Sequence, residues 1–174
     1  MTSNARLLFS RAQIDAALDT MAVGINQYFH GQQPLVLTVL QGGVVFAGHL
    51  LPRLSFELEL DSVHASRYAG ALSGSDEITW LSRPRTSLAG RAVLLLDDIY
   101  DQGFTLAAIA NWCRREGAAS VMSAVLVRKR HERPVSDYRA DFTALEVDDV
   151  YVFGFGMDRN HVGRNANGIF EHLG

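Results

Sequence analysis

Three carboxylates within five residues, Asp97, Asp98 and Asp101, are the part of this sequence best suited to chemistry. They close the apolar run Val93-Leu94-Leu95-Leu96, and a Gly-centred turn and a helix-forming stretch, Leu106 to Trp112, follow them. A continuous apolar run reads as a central parallel strand covered on both faces. The carboxyl end of such a strand is where open α/β sheets hold their ligands. Ionised carboxylates only accept hydrogen bonds, so Asp97 and Asp98 suit sugar hydroxyls or, as an adjacent pair, Mg²⁺. The turn Asp101-Gln102-Gly103-Phe104-Thr105 leads into the helix, whose first N–H groups, with the Thr105 hydroxyl, make a cradle for a phosphate. Hydroxyl acceptors beside a phosphate cradle suggest a phosphorylated sugar. By residue type Asp101 is a candidate N-cap, because aspartate is among the best caps.

The elements that must position these groups follow from periodicity. Ser10-Arg11-Ala12-Gln13 has the form of a capping box, and Ile14, Leu18, Met21 and Ile25 recur at helical spacing. A first helix is predicted from about Arg11 to Phe29. Leu35 to Leu40 reads as a short strand, after which Gly42-Gly43 turns the chain into a second helix reaching about Leu54. Phe56 to Tyr68 is predicted to be extended. Residues 68–76 (YAGALSGSD) have the composition of a mobile surface loop and a candidate lid. Ile78 to Leu81 resumes as strand, and Ser120 to Val127 is a second buried one. Asp141 to Val147 and Val150 to Phe155 are shorter strands, and the tail after Gly156 reads as mostly loop. Strands alternating with helices predict an α/β fold with a largely parallel sheet flanked by helices, in a single domain spanning 1–174.

Composition narrows the class. Of 174 residues, 48% are hydrophobic and 20% charged, as in globular domains, and no apolar run reaches the length of a membrane span. The single cysteine, Cys113, rules out an intramolecular disulfide, fits a reducing compartment and reads as core. A net charge of −3 argues against broad nucleic-acid binding, with Arg128-Lys129-Arg130-His131-Glu132-Arg133 a local exception. No G-x-x-x-x-G-K-[ST] and no helix-opening G-x-G-x-x-G accompanies the acidic pair, and the six histidines form no zinc pattern.

Residues 93–105 resemble the phosphoribosyl-pyrophosphate (PRPP) signature of type I phosphoribosyltransferases: four apolar residues, two acidic, two more apolar, then Asp-x-Gly-x-Thr. From about Leu35 to Arg164 the chain resembles the hypoxanthine-guanine branch of that family. The resemblance implies a type I phosphoribosyltransferase-like fold with a flexible lid loop and a small base-binding hood. It implies that Asp97 and Asp98 hold the ribose hydroxyls. Asp101 would stand at N7 of the purine as the catalytic general acid or base, and Asp101, Gln102, Gly103, Phe104 and Thr105 would bind the ribose phosphate. Gln41 and Gly42, after a Leu40-Gln41 peptide that is often cis in relatives, would bind pyrophosphate together with Arg164. An ordinary strand-to-helix turn would read the same. Lys129 matches the residue that hydrogen-bonds the 6-oxygen of the purine, with Arg128 a competitor one position away. Within Val150-Tyr151-Val152-Phe153-Gly154-Phe155-Gly156-Met157-Asp158, Tyr151 would stack on the base and Val152 would read its edge. Asp158 would help hold Mg²⁺, the implied cofactor. Arg67 and Tyr68 match the closing flap. Gln102, Phe104, Gln41 and Arg67 depart from the commoner residues at their positions.

The implied function is purine salvage, in which the phosphoribosyl group of PRPP passes to N9 of hypoxanthine or guanine. The implied protein is cytoplasmic and a homo-oligomer, dimer or tetramer, with small-molecule substrates and neither nucleic-acid nor membrane partners. Two alternatives stand beside it: a xanthine-preferring enzyme, and a non-catalytic regulator that binds PRPP or nucleotide. The full set Asp97, Asp98, Asp101, Lys129 and Asp158 favours catalysis, since a regulator could lose several of them.

Overall fold

The computed structural model of the chain describes residues 4–67, 78–133 and 136–174. Alternate residues of one strand decide how its layers stack. On strand β5 (Ala92–Tyr100), Leu94 and Leu96 join a core with Ile14, Leu18 and Ile25 of helix α1 (Arg11–Tyr28). Phe46 and Leu50 of helix α2 (Gly43–Leu50) complete that side. Val93 and Leu95 face the other way, into a core with Leu106, Ile109 and Trp112 of helix α3 (Phe104–Arg115). A strand with side chains alternating between two cores must be central, and full burial of each aliphatic side chain contributes roughly 1.5–3 kcal/mol.

Around β5 lie β2 (Leu35–Leu40), β3 (Glu59–Arg67), β4 (Ile78–Ser82), β6 (Ser120–Arg130) and β7 (Phe142–Asp148). They form a six-stranded sheet in the order β4-β3-β2-β5-β6-β7. The pairs β3–β2, β2–β5, β5–β6 and β6–β7 are parallel, and only edge strand β4 runs antiparallel. This is the predicted α/β architecture. The capping box forms as its residues require: Ser10 Oγ accepts from the Gln13 N–H at 3.4 Å, and Gln13 Oε1 accepts from the Ser10 N–H at 2.9 Å.

Two expectations need correction and one needs an addition. The tail after Gly156 is mostly loop, as expected, but a strand, β9 (Gly168–His172), lies within it, and Ile169 is fully buried. That strand pairs antiparallel with β1 (Ala5–Ser10), which local periodicity did not predict, and with β8 (Val152–Phe153), giving a second sheet β1-β9-β8. Neither end carries a strong repeat of its own, so each is a strand only because the other is there to pair with. The strand expected over Val150–Phe155 shrinks to β8 (Val152–Phe153), since residues 154–156 all have positive φ and turn the chain away. The second helix ends at Leu50, and a short 3₁₀ turn with Pro52 near its start carries the chain through Arg53. Strands β5 and β6 also run past their apolar stretches, to Tyr100 and Arg130, so Asp97, Asp98 and Lys129 stand on strands. Among the described residues no helix is long and apolar enough to cross a membrane.

Candidate active site

The carboxyl ends of β2 and β5 meet at one edge of the parallel sheet, and a cleft of about 400 Å³ opens there. Its walls hold the residues expected at pyrophosphate, Gln41, Gly42 and Arg164, together with Asp158. The same lining holds Asp97, Asp98 and the whole turn from Asp101 to Thr105. Residues expected at three different groups of a phosphorylated sugar, and at its metal, therefore line one space.

Strand β2 ends at a cis Leu40-Gln41 peptide, and Gly42 follows as the N-cap of α2. Gly42 has no room for a side chain, because a Cβ there would run into the carboxylate of Asp98. The two acids are buried unequally. Asp97 is 8% exposed, and its Oδ1 accepts the Asp98 N–H at 3.0 Å. Burial first, and then the neighbouring charge of Asp98, push the Asp97 carboxyl well above the usual carboxylate range. Burial also raises Asp98, although the charge of Arg164 pulls it the other way.

The phosphate turn depends on Gly103. It is the N-cap of α3 with φ 76°, and a Cβ there would meet the Tyr100 ring at 2.5 Å. That ring is fixed by its hydroxyl, which donates to the Tyr138 carbonyl at 2.6 Å. No side chain caps this end of α3. Phe104 and Thr105 of the first turn line the cleft, and the helix dipole adds positive character there, which suits an anion.

Asp101 is not the cap that its residue type allowed. Its Oδ1 lies 2.8 Å from His131 Nε2 and 2.7 Å from Arg133 Nη2. Arg133 Nη2 also donates to Asp149 Oδ1 at 2.6 Å, and Asp149 Oδ1 stands 3.9 Å from the Lys129 ammonium. A chain of charges therefore links Asp101 to Lys129. His131, Arg133 and Asp149 were not among the expected site residues. The basic cluster after β6 stood out by charge, but nothing in its spacing ties it to an aspartate on another strand.

Asp158 and Arg164, which also line the cleft, are paired: Asp158 Oδ1 accepts from Arg164 Nη2 at 2.7 Å, and its Oδ2 accepts from the His161 N–H at 2.8 Å. Arg164 Nη1 donates to the Gly156 carbonyl at 2.7 Å, fixing the guanidinium beside the cleft. Among the described residues no three His, Cys, Asp or Glu side chains gather as a metal cage. One carboxylate facing a phosphate cleft nevertheless fits Mg²⁺, which is commonly held by one or two carboxylates plus substrate phosphates and water.

The residues expected at the base stand apart from this cleft. Lys129 lies on β6 with its side chain only 12% exposed. Val152 is buried in β8, and Tyr151 is 48% exposed with its ring edge-on to His172 at 6.0 Å. Arg67 ends β3, its backbone paired with Ile78, while its side chain and Tyr68 lie outside the described residues, as does the expected lid. Cys113 is buried core, and burial pushes its thiol up to about 12, which leaves no thiolate for chemistry.

Comparison with known proteins agrees with this geometry. Residues 10–160 match the phosphoribosyl transferase domain family. A hypoxanthine-guanine phosphoribosyltransferase from Streptococcus thermophilus is 31% identical over 160 residues, 92% of this chain and 88% of that one. A hypoxanthine-guanine-xanthine phosphoribosyltransferase from Tritrichomonas foetus is 29% identical, over 92% of this chain and 87% of its own. Among solved structures, a hypoxanthine-guanine phosphoribosyltransferase from Bacillus anthracis superposes with a TM-score of 0.86 at 25% identity, covering 95% of this chain and 96% of that one. Signature, cleft and relatives point the same way, and the chain belongs to the phosphoribosyltransferase family, in its hypoxanthine-guanine branch.

Proposed function

We propose that this chain transfers the 5-phosphoribosyl group of PRPP to N9 of hypoxanthine or guanine. The bond from ribose C1 to N9 forms as the bond from C1 to pyrophosphate breaks, giving IMP or GMP. One observation carries the reading: phosphate turn, acidic pair and pyrophosphate residues share a single cleft, with Asp101 at its edge joined to Lys129. Backbone N–H groups at the start of α3 bind the ribose phosphate, and Asp98, with the more buried Asp97 behind it, accepts from the ribose hydroxyls. Gln41, Gly42 and Arg164 hold the leaving pyrophosphate. Lys129 donates to the 6-oxygen, Tyr151 covers the base, and Val152 meets its edge with backbone groups. The base loses one proton overall, and Asp101 is the carboxylate placed to exchange it at N7. Mg²⁺, held through Asp158 and the substrate, would neutralise charge developing on pyrophosphate. Most of the barrier is then lowered by positioning and electrostatics.

The protein acts in the cytoplasm as a homo-oligomer, dimer or tetramer. Its one thiol, buried and unpaired, supports the former. An exposed apolar groove formed by Leu40, Val44, Leu51 and Leu60 supports the latter.

An ultraviolet assay with PRPP and Mg²⁺ against hypoxanthine, guanine, xanthine and adenine tests the reading. Turnover of hypoxanthine or guanine with adenine inert is the expected result. Xanthine as the best substrate would keep the chemistry and overturn the specificity. No turnover by folded protein would favour a regulator that binds PRPP without reacting it.

A further inference from the structure

We infer that His131 is a positioning residue for Asp101, a buried donor that fixes one carboxylate oxygen and leaves the other for the base. The inference rests on the proposed role of Asp101. The imidazole side chain is only 4% exposed, and its Nε2 lies 2.8 Å from Asp101 Oδ1. An ionised carboxylate has no proton to give, so the hydrogen in this contact sits on Nε2. The other ring nitrogen, Nδ1, is buried with no partner among the described residues. Nε2 is thus the ring nitrogen placed to donate, since an N–H on Nδ1 would be buried without an acceptor.

Arg133 Nη2 donates to the same Oδ1 at 2.7 Å, whereas Oδ2 receives only the longer 3.5 Å contact from Arg133 Nη1. Oδ1 is therefore occupied twice, and Oδ2 is the oxygen left to meet substrate. The two donors differ in kind. Arg133 is 41% exposed and shared with Asp149, while His131 is rigidly enclosed and serves Asp101 alone among the described residues. His131 does not line the cleft, so it acts through Asp101 rather than on substrate. A catalytic group oriented from behind by a third side chain is a recurring active-site arrangement. The residue that does this here was legible in the sequence only as part of a basic turn.

The test combines His131→Gln, His131→Asn and His131→Leu with Asp101→Asn, each melted thermally to confirm folding. Gln can place an amide N–H where Nε2 stands, and Asn, equally polar, is too short to reach. The expected result for His131→Asn and His131→Leu is a fall in kcat of about 10- to 100-fold, with the Kd for IMP held within about threefold. His131→Gln recovers most of that loss. In the Asp101→Asn background the same substitutions cost less than about twofold, because their effect runs through the missing carboxylate. Equal loss in both backgrounds, equal rates for Gln and Asn, or kcat near wild type in all three would overturn the inference. Should His131→Leu fail to fold, the Gln and Asn pair alone decides it. If Asp101→Asn itself keeps wild-type turnover, the proposed role of Asp101 fails and this inference goes with it. If Asp101→Asn collapses turnover while the His131 variants do not, only the inference fails.

Discussion

A lysine whose side chain is 12% exposed and whose ammonium stands 3.9 Å from a carboxylate is held in place more firmly than one on an open surface. Lys129 has that setting, and its three N–H donors suit an acceptor such as the 6-oxygen of hypoxanthine or guanine. The 6-amino group of adenine would bring donor against donor. Lys129→Ala is therefore expected to raise KM for hypoxanthine and guanine by about 10- to 100-fold, on the scale of losing a charged hydrogen bond. KM for PRPP should stay within about threefold, since the phosphate turn is untouched. Initial rates with each substrate varied in turn would check this, and an equal fall for every base with KM unchanged would remove Lys129 from base recognition. The family resemblance pointed to Lys129, with Arg128 a competitor one position away. It could not reveal Arg133 and Asp149, which join Lys129 to Asp101, because that link exists only once β5, β6 and the chain before β8 are side by side.

At the scale of elements, β5 and α3 carry most of the site, and both make predictions of their own. Asp97 sits in a strand whose apolar residues bury it, and its carboxyl is raised by that burial. The folded protein thus holds the Asp97 proton more tightly than the unfolded chain does. Its contribution to stability is intact below the ordinary carboxylate range and is lost as pH rises through the higher folded value. Asp97→Asn keeps an oxygen for the Asp98 N–H and removes the buried charge. Its melting temperature should exceed that of wild type at pH 8, with the margin shrinking toward pH 4; each unit of pKa difference corresponds to about 1.4 kcal/mol. A margin independent of pH would show that the buried acid is not the cause. Gly103→Ala, forced into φ 76° against the Tyr100 ring, should destabilise the protein by about 1–3 kcal/mol in denaturant melts and weaken PRPP binding. Unchanged stability would mean that the turn relaxes. These elements were legible because their signals are local: a run of apolar residues for β5, a capping box and helical spacing for α1, a glycine turn before α3. β1 and β9 were not, because their short segments become strands through pairing between residues such as Arg6 and Glu171, far apart in sequence.

At the scale of the whole molecule, the Leu40-Gln41-Gly42 loop, proposed to hold pyrophosphate, lies between the cleft and an open apolar groove. Helix α2 starts immediately after that loop, and Val44 and Leu60 stand 51% and 52% exposed beside Leu40, Ala47 and Leu51. The one acid in this groove, Asp61, is turned to backbone: its carboxylate accepts from the N–H groups of Ser62, Arg85 and Thr86 at 2.7, 2.9 and 3.0 Å. Those bonds hold its pKa below the usual range against the opposing effect of burial. Asp61 is thus charged at neutral pH but committed to backbone donors, and the exposed apolar side chains beside it are the surface left for contact, as large exposed apolar patches mark contact surfaces. A second copy seated there would cover Leu40 and brace the Leu40-Gln41 loop from behind, so assembly and pyrophosphate binding would be linked. Leu60→Glu puts a charge into that contact without touching the cleft. Sedimentation should then find monomer where wild type is dimer or tetramer, and KM for PRPP should rise by about tenfold with KM for hypoxanthine little changed at saturating PRPP. Wild-type protein that is already monomeric at micromolar concentration would sink the linkage. So would a Leu60→Glu variant that stays assembled with unaltered kinetics, which would put the contact surface elsewhere on the fold.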